Sequence, residues 1–149
     1  MASPVLLCTD GSDLSLAALA AGLDLFPPDT PVEFLMVHGG PHLSEMFGSG
    51  HAGPAVSEEE FHSEKDTAIA EAEAALAAVA ESLGRTDSPR TVIGGEAGQA
   101  ICDYAGQVSA RAIVLGSRGR SGLKRAVLGS VSDHVVRNAP VTVVLTAST

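Results

Sequence analysis

Short apolar runs alternate with longer segments of helical period along the chain. Residues 5–9, 32–38, 90–95, 112–115 and 141–145 are predicted strands, because each apolar run is short and is bounded by turn-forming residues. Most of these runs are continuously apolar, which is typical of strands that are buried on both faces. The pattern therefore predicts a parallel sheet that is covered by helices on either side.

The intervening segments predict four helices, at residues 13–26, about 57–83, about 97–108 and 130–138. Pro27 and Pro28 end the first helix, and Ser57 with Glu60 forms a capping box for the second. Apolar spacing predicts which side of the first helix is buried, namely Leu14, Ala17, Ala18, Ala21 and Leu25. In the second helix the predicted stripe is Phe61, Ala68, Ile69, Ala72, Leu76 and Val79.

The order of elements is βαβαβαβαβ, which predicts a single α/β domain over residues 1–149. We expect a doubly wound, five-stranded parallel sheet in the flavodoxin-like order 3-2-1-4-5, with helices on both faces. In such sheets the ligand binds at the carboxyl ends of the strands, where the winding reverses. Strands one and four flank that point, so Asp10 and the loop that begins at Gly116 are expected to face one crevice.

The loop from Gly116 to Ser130 joins a buried strand to a helix and predicts a phosphate-binding site. Glycine lets a phosphate approach the backbone, and a helix amino end attracts anions. The spacing of the glycines does not match a Walker A loop. It does not match the dinucleotide fingerprint either, because Arg118 stands where that fingerprint requires glycine. The spacing is instead a glycine at 116, a second glycine at 119 after two intervening residues, and the pair Gly129 and Ser130 after nine more.

Composition narrows the range of partners. The net charge is -9, with 18 acidic residues against 9 Lys plus Arg, which predicts neither a nucleic acid nor a membrane partner. Four of the nine cations lie between residues 118 and 125, a local patch that suits one small anion. Cys8 and Cys102 are too few for a disulfide framework, and no apolar stretch approaches the length of a membrane span, so a cytoplasmic protein is expected.

A glycine- and proline-rich stretch, about residues 39–56, lacks any sustained period and is predicted to be a mobile loop. Several potential metal ligands lie in or beside it: His38, His42, Glu45, His51 and His62. Their spacing matches no rigid ligand pattern, so we expect a solvated loop and no metal site there.

The glycine spacing, together with VLLCTDGSDLSLAAL at the start and AIVLGSRGRSGLKRAVLGSVSDHVVRNAPVTVVL at the end, resembles the universal stress protein family over nearly the whole chain. The resemblance implies the ATP-binding class of that family. It places Gly116, Gly119, Gly129 and Ser130 at the ribose and phosphates, with Val131 and Ser132 in adjoining contact positions. The bound ATP would carry Mg²⁺ or Mn²⁺ through its phosphates.

The resemblance also assigns Thr9, Asp10 and Val37 to the base and ribose pocket. Leu115, directly before Gly116, and Arg118, beside the phosphates, complete the candidate site. A carboxylate repels phosphate, so Asp10 suits the sugar or base end, where it can accept hydrogen bonds. Asp10 could alternatively serve only as a helix cap or turn residue.

No nucleophile, base and metal-binding carboxylates occur together, so the sequence favours a nucleotide-dependent stress-response or signalling module over an efficient enzyme. The alternatives are a weak metal-dependent ATPase and a dimeric scaffold without a nucleotide. The last strand, residues 141–145, is a predicted sheet edge. Family resemblance implies a homodimer through it.

Overall fold

The computed structural model describes residues 2–39, 58–117 and 128–147. Within these ranges the strands are β1 (Val5–Cys8), β2 (Val32–His38), β3 (Arg90–Gly94), β4 (Ala112–Gly116) and β5 (Thr142–Thr146). The helices are α1 (Asp13–Leu23), α2 (Glu58–Ser82), α3 (Ala97–Gln107) and α4 (Ser130–Asn138). The predicted loop at about 39–56 lies outside the described residues except for its first position, and so do Arg118 and Gly119.

The five strands form one parallel sheet in the order β3-β2-β1-β4-β5. The predicted doubly wound fold and its strand order are therefore confirmed. Central strand β1 pairs with β2 on one side and with β4 on the other, so Val5 lies beside both Val32 and Ala112. The chain winds outward in opposite directions from β1, which makes the carboxyl ends of β1 and β4 the point of reversal.

Each face of the sheet has its own apolar core, as a parallel sheet requires. Side chains such as Leu7, Phe34 and Val114 pack beneath α1 and α2 on one face. Alternate residues of the same strands, including Leu6 and Ile113, pack beneath α3 and α4 on the other face. These strand residues are all fully buried, which explains the continuous apolar runs in the sequence.

Helix α1 ends earlier than predicted, at Leu23 and not at residue 26. Leu25 and Phe26 instead donate backbone hydrogen bonds to Gly22 and Leu23, three residues back, which tightens the chain into a turn before the prolines. The predicted ends of the other helices agree with the structure to within one residue.

The predicted buried face of α1 is wrong except at Ala18. Leu14 is 40% exposed and Leu25 is 70% exposed, whereas the buried side of the helix carries Ser15, Ala18, Leu19 and Gly22. The helix is apolar nearly all round, so its period could not decide its rotation. In α2, by contrast, acidic residues mark the outer side, and the predicted Ala72, Leu76 and Val79 are buried.

Helix α1 approaches the sheet closely because Gly22 has no side chain. A Cβ built at Gly22 would lie 2.3 Å from Cγ1 of Val114, the fully buried residue at the middle of β4. Helices α3 and α4 meet in a similar way, since a Cβ at Gly98 would lie 2.7 Å from Cγ of His134. These two contacts bring the helices that border the crevice close to the sheet and to each other.

At the amino end of the sheet, a buried carboxylate on β2 joins three elements. Glu33 is 8% exposed, and one of its oxygens accepts hydrogen bonds from Thr91 of β3 at 2.8 Å and from the hydroxyl of Tyr104 on α3. Burial and the Glu33 carboxylate raise the pKa of Tyr104, so this phenol stays a proton donor. The cluster fixes α3 at the end of the sheet opposite the crevice.

Candidate nucleotide-binding site

A cavity of about 270 Å³ opens at the carboxyl ends of β1 and β4, where the winding of the sheet reverses. All the predicted site residues within the described ranges line it: Thr9, Asp10, Val37, Leu115, Gly116, Gly129, Ser130, Val131 and Ser132. They come from three strand ends and the start of α4. Arg118 and Gly119 lie outside the described residues, so their positions stay predictions.

Five residues that were not among the predicted binding residues also line the cavity: Cys8, Ser15, Leu35, Ala97 and Ile101. Cys8 and Leu35 belong to strand interiors, where their apolar character indicates only burial. Ala97 and Ile101 lie on α3, whose position over the crevice depends on tertiary packing. Ser15 was missed because the predicted buried face of α1 was wrong.

The turn between β1 and α1 is organised by Asp10. Its Oδ1 accepts hydrogen bonds from the backbone N–H of Ser12 at 2.9 Å and from the Ser12 hydroxyl at 2.6 Å. Gly11, at φ 82°, adopts the left-handed conformation that this turn requires. Ser12, and not Asp10, then caps α1 by accepting a hydrogen bond from the Ser15 N–H. Asp10 therefore has the turn role proposed as an alternative, and it also lines the cavity.

A second hydrogen-bond network lies just below, between two buried hydroxyls. The Thr9 Oγ1 accepts hydrogen bonds from the Gly11 N–H at 3.0 Å and from the Ser15 hydroxyl at 2.8 Å. Thr9 is 8% exposed and Ser15 is 5% exposed. These are polar groups on the wall of a cavity whose surroundings are otherwise rich in apolar side chains.

The amino end of α4 reaches the cavity without a capping side chain. Ser12 caps α1 and Glu96 caps α3 through side-chain oxygens, but Gly129 at the same position of α4 makes no such bond. The first backbone hydrogen bond of α4 runs from Asp133 to Gly129, so the N–H groups before Asp133 lack intrahelical acceptors. Such groups, with the helix dipole, favour an anion at this end of the cavity.

Among the described residues, Gly129 has room for a small side chain. A Cβ there would make ordinary contacts, the nearest described atom being the Ser117 carbonyl oxygen at 3.6 Å, and its φ of -61° is open to any residue. Backbone hydrogen bonds already fix this residue, because its N–H donates to Ser117 at 3.1 Å. Neither the backbone conformation nor the packing of the described residues therefore requires glycine at position 129.

The ionisable groups of the lining offer little for catalysis. Asp10 is the single carboxylate among the lining residues that the structure describes. Burial, with a smaller contribution from nearby Cys102, raises the pKa of the Cys8 thiol to about 12, so this sulfur is neutral and a poor nucleophile near pH 7. Within the described ranges, no three His, Cys, Asp or Glu side chains cluster closely enough to hold a metal ion.

None of the helices in the described part of the chain combines the length and the apolar character that crossing a membrane requires.

Solved structures share this fold over almost their entire length. The hypothetical protein MJ0577 superposes with a TM-score of 0.79 at 20% identity, covering 99% of this chain and 96% of the other. Universal stress protein UspA from Lactobacillus plantarum gives 0.74 at 23% identity, with 97% of each chain covered. At these identities the similarity establishes the fold.

Some structures of this fold contain an adenine nucleotide. A universal stress protein family protein from Arabidopsis thaliana has AMP bound, with a TM-score of 0.65 at 16% identity over 99% of this chain and 93% of its own. Two further universal stress proteins form complexes. One, from Archaeoglobus fulgidus, holds dAMP (TM-score 0.57, 21% identity), and the other holds cAMP (0.58, 24%). Each comparison covers at least 97% of both chains.

No curated protein sequence matches the chain significantly. The sequence model of the universal stress protein family, in contrast, matches residues 1–147. That match spans every strand and helix described above, including both sides of the cavity. The chain therefore belongs to the universal stress protein family.

Proposed function

We propose that this protein binds an adenine nucleotide, ATP, in the cavity at the ends of β1 and β4, and that it acts as a nucleotide-dependent stress-response or signalling module. One observation carries the proposal: residues more than a hundred positions apart, Asp10 and Gly129, line the same cavity at the reversal point. The family and the relatives with bound AMP, dAMP and cAMP support the choice of an adenine nucleotide.

The chemistry of the lining suits the nucleoside at the β1 side. Apolar side chains such as Leu35, Ile101 and Leu115 offer a surface for a base, while Thr9 and Asp10 offer hydrogen bonds to hydroxyl or ring atoms. The volume of about 270 Å³ is near the lower end of ligand pockets, about 300–1,000 Å³. We therefore expect the nucleoside to fill the cavity and the phosphates to extend along its α4 side.

The phosphates belong at the amino end of α4. The N–H groups of Ser130 and Val131 come before Asp133, the first residue to donate an intrahelical hydrogen bond. Gly129 has no side chain that would keep a phosphate away from the backbone. We propose that Gly116, Ser130 and Ser132 adjoin the ribose and phosphates, with Gly119 and Arg118 from the neighbouring loop. A Mg²⁺ or Mn²⁺ would be held mainly by the phosphates, since Asp10 is the single described carboxylate in the lining.

A direct test is to denature the purified protein and identify any released nucleotide by mass spectrometry. Calorimetric titration of the nucleotide-free protein with ATP and with AMP should then show one site per chain. Asp10→Asn removes the carboxylate from the cavity wall and should weaken binding. Asp24→Asn makes the same change just after α1, outside the lining, and should leave the affinity unaltered. The absence of binding by the wild-type protein would reject the proposal.

Binding is favoured over turnover because the described lining contains neither an activated nucleophile nor a set of metal-holding carboxylates. The competing function is a weak metal-dependent ATPase. Phosphate release from ATP with Mg²⁺ separates the two functions. A rate in the range of dedicated phosphotransferases, about 1–100 per second, would contradict a pure binding module. A scaffold without a nucleotide role would bind neither ATP nor AMP.

We also propose a homodimer through β5. Among the described strands this one pairs only with β4, so its outer edge, from Thr142 to Thr146, offers a row of backbone groups to a second copy. Analytical ultracentrifugation at micromolar concentration should give a dimer, and a monomer would contradict this interface. Because Cys8 and Cys102 are free and buried, we place the protein in the cytoplasm, where thiols stay reduced.

A further inference from the structure

Ser15 is a buried polar residue for which the helix has no evident use. It is the third residue of α1, where a side chain often hydrogen-bonds back to the N-cap backbone N–H. Here that N–H, of Ser12, already donates to Asp10 at 2.9 Å. The Ser15 hydroxyl is therefore not needed for capping, and alanine would be the better helix former at this position.

The hydroxyl of Ser15 instead donates to Thr9 Oγ1 at 2.8 Å, across the turn between β1 and α1. The Gly11 N–H donates to the same oxygen at 3.0 Å. A threonine hydroxyl has two acceptor lone pairs and one hydrogen, so these two bonds occupy both lone pairs. What the Thr9 oxygen can still offer is its hydrogen.

The residue that carries this hydrogen belongs to the wall of the cavity. Thr9 and Ser15 both line the cavity, and each is more than nine-tenths buried. Within residues 2–39, 58–117 and 128–147 the Thr9 hydroxyl makes no further hydrogen bond. A buried hydroxyl without an acceptor loses part of its hydrogen bonding on folding, which a ligand acceptor would restore.

We infer that Ser15 is a positioning residue of the nucleotide site: its hydroxyl holds the Thr9 hydroxyl as a hydrogen-bond donor to the bound nucleoside. The inference rests on the proposed function. Ser15 itself need not touch the ligand. It fixes the hydroxyl rotor of Thr9, so that the ligand must present an acceptor, a ring nitrogen or ribose oxygen, and not a donor, at that point.

Calorimetric titration with ATP tests the role through a double-mutant cycle. Ser15→Ala should weaken ATP binding about 3- to 10-fold, the effect of one net hydrogen bond. Thr9→Val, which keeps the branched shape and removes the donor, should weaken it by a similar factor. In the Thr9→Val background, Ser15→Ala should have no further effect, because the group that it positions is absent. A purely structural Ser15 would weaken binding equally in both backgrounds.

Ser82→Ala is the matched control. It removes another helical serine hydroxyl, one that bonds the Ala78 carbonyl near the end of α2, and should leave the affinity unchanged. If Ser15→Ala fails to fold, Ser15→Cys keeps the size with only a weak donor and should show the same direction of change. Wild-type affinity in a folded Ser15 variant, or additive losses in the cycle, would overturn the inference and leave the proposed function intact. Failure of the wild type to bind ATP or AMP would reject both.

Discussion

The packed layers around the cavity and the rim of the cavity use glycine for different reasons. At Gly22 and Gly98 a Cβ would come within 2.3 Å and 2.7 Å of a neighbouring side chain, so the fold itself excludes one. At Gly129 the nearest atom would be 3.6 Å away, in ordinary contact. Among the described residues, packing therefore accounts for Gly22 and Gly98 but not for Gly129, which our proposal places beside the phosphates.

The two regions also differ in how they treat charge. Cys8 lies in the floor of the cavity, where burial keeps its thiol neutral. At the rim, the backbone N–H groups that open α4 lack a side-chain cap. The thiol beneath the cavity is thus kept neutral, while the α4 end of the cavity favours an anion. The experiments below test this difference, in order of decreasing expected effect on stability.

Gly22→Ala should cause the largest loss of stability. Its Cβ would lie 2.3 Å from Cγ1 of Val114, a fully buried β-branched side chain with little rotamer freedom. Either α1 or β4 must move, and we expect the free energy of unfolding to fall by about 3 kcal/mol. Urea denaturation measures the change. Gly106→Ala, in α3 with its nearest neighbour at 3.8 Å, should be neutral or stabilising and serves as the control.

Gly98→Ala should separate α3 from α4. The new methyl group would lie 2.7–2.9 Å from Cβ, Cγ and Cδ2 of His134, atoms too near the α4 backbone to swing away freely. We expect a loss of about 1–2 kcal/mol in urea denaturation. His134→Ala removes Cγ and Cδ2 but keeps Cβ, so it should relieve part of the clash, and the double variant should be more stable than the sum of the two single effects predicts. Additive effects would show that this contact does not limit the helix spacing.

Alkaline pH should weaken the fold through Cys8. The thiol titrates near 9.0 when unfolded and near 12 when folded, so its contribution to stability is complete below pH 9 and is lost as the pH rises toward 12. Between pH 8 and pH 10 the free energy of unfolding should fall by about 1.4 kcal/mol from this group. Urea denaturation at the two pH values, repeated with Cys8→Ala, isolates the effect. If the free energy of unfolding falls equally in the Cys8→Ala variant, the buried Cys8 thiol is not the cause of the pH dependence.

Gly129→Ala should have the smallest effect on the fold and a clear effect on the ligand. With φ at -61° and only ordinary contacts between the Cβ and the described residues, the free energy of unfolding should change by no more than about 0.5 kcal/mol. ATP binding, measured by calorimetry, should weaken at least about tenfold, because the methyl group would stand between the helix backbone and the phosphates.

Gly129→Asp sharpens the same test. Aspartate is a good N-cap and complements the helix dipole, so α4 should be as stable or slightly more stable. Its carboxylate would occupy and repel the phosphate position, so ATP binding should be lost. Retained ATP binding in this variant would show that the rim of the cavity does not receive the phosphates.

Where polar and apolar residues were well separated, the sequence predicted the structure closely. Strand β2 and helix α4 have the predicted bounds, because turn residues mark both ends of each. In α2, acidic residues mark the outer side, and the opposite side was therefore predicted to be buried, as Ala72, Leu76 and Val79 are. In α1, small and apolar residues surround the axis, so the pattern favoured Leu14 where packing buries Ser15 instead.

The residues of the candidate site likewise include some that the sequence could predict and some that it could not. Asp10, Gly116 and Gly129 were predictable because strand-end and helix-start residues carry recognisable turn and glycine signals. Ala97 and Ile101 carried none, since an alanine and an isoleucine on a helix indicate burial wherever the helix lies. Their place in the lining depends on how α3 crosses the sheet, which Gly98 against His134 and Tyr104 on Glu33 determine together.

Local period and turn chemistry were enough to predict the succession of strands and helices and the parallel sheet, and the common topology of such sheets predicted the reversal point. The rotation of α1, the approach of the helices and the Ser15–Thr9 hydrogen bond depend instead on packing between distant segments. The reason is physical: which side of an apolar helix is buried is set by the shapes that pack against it, and those shapes come from distant parts of the chain.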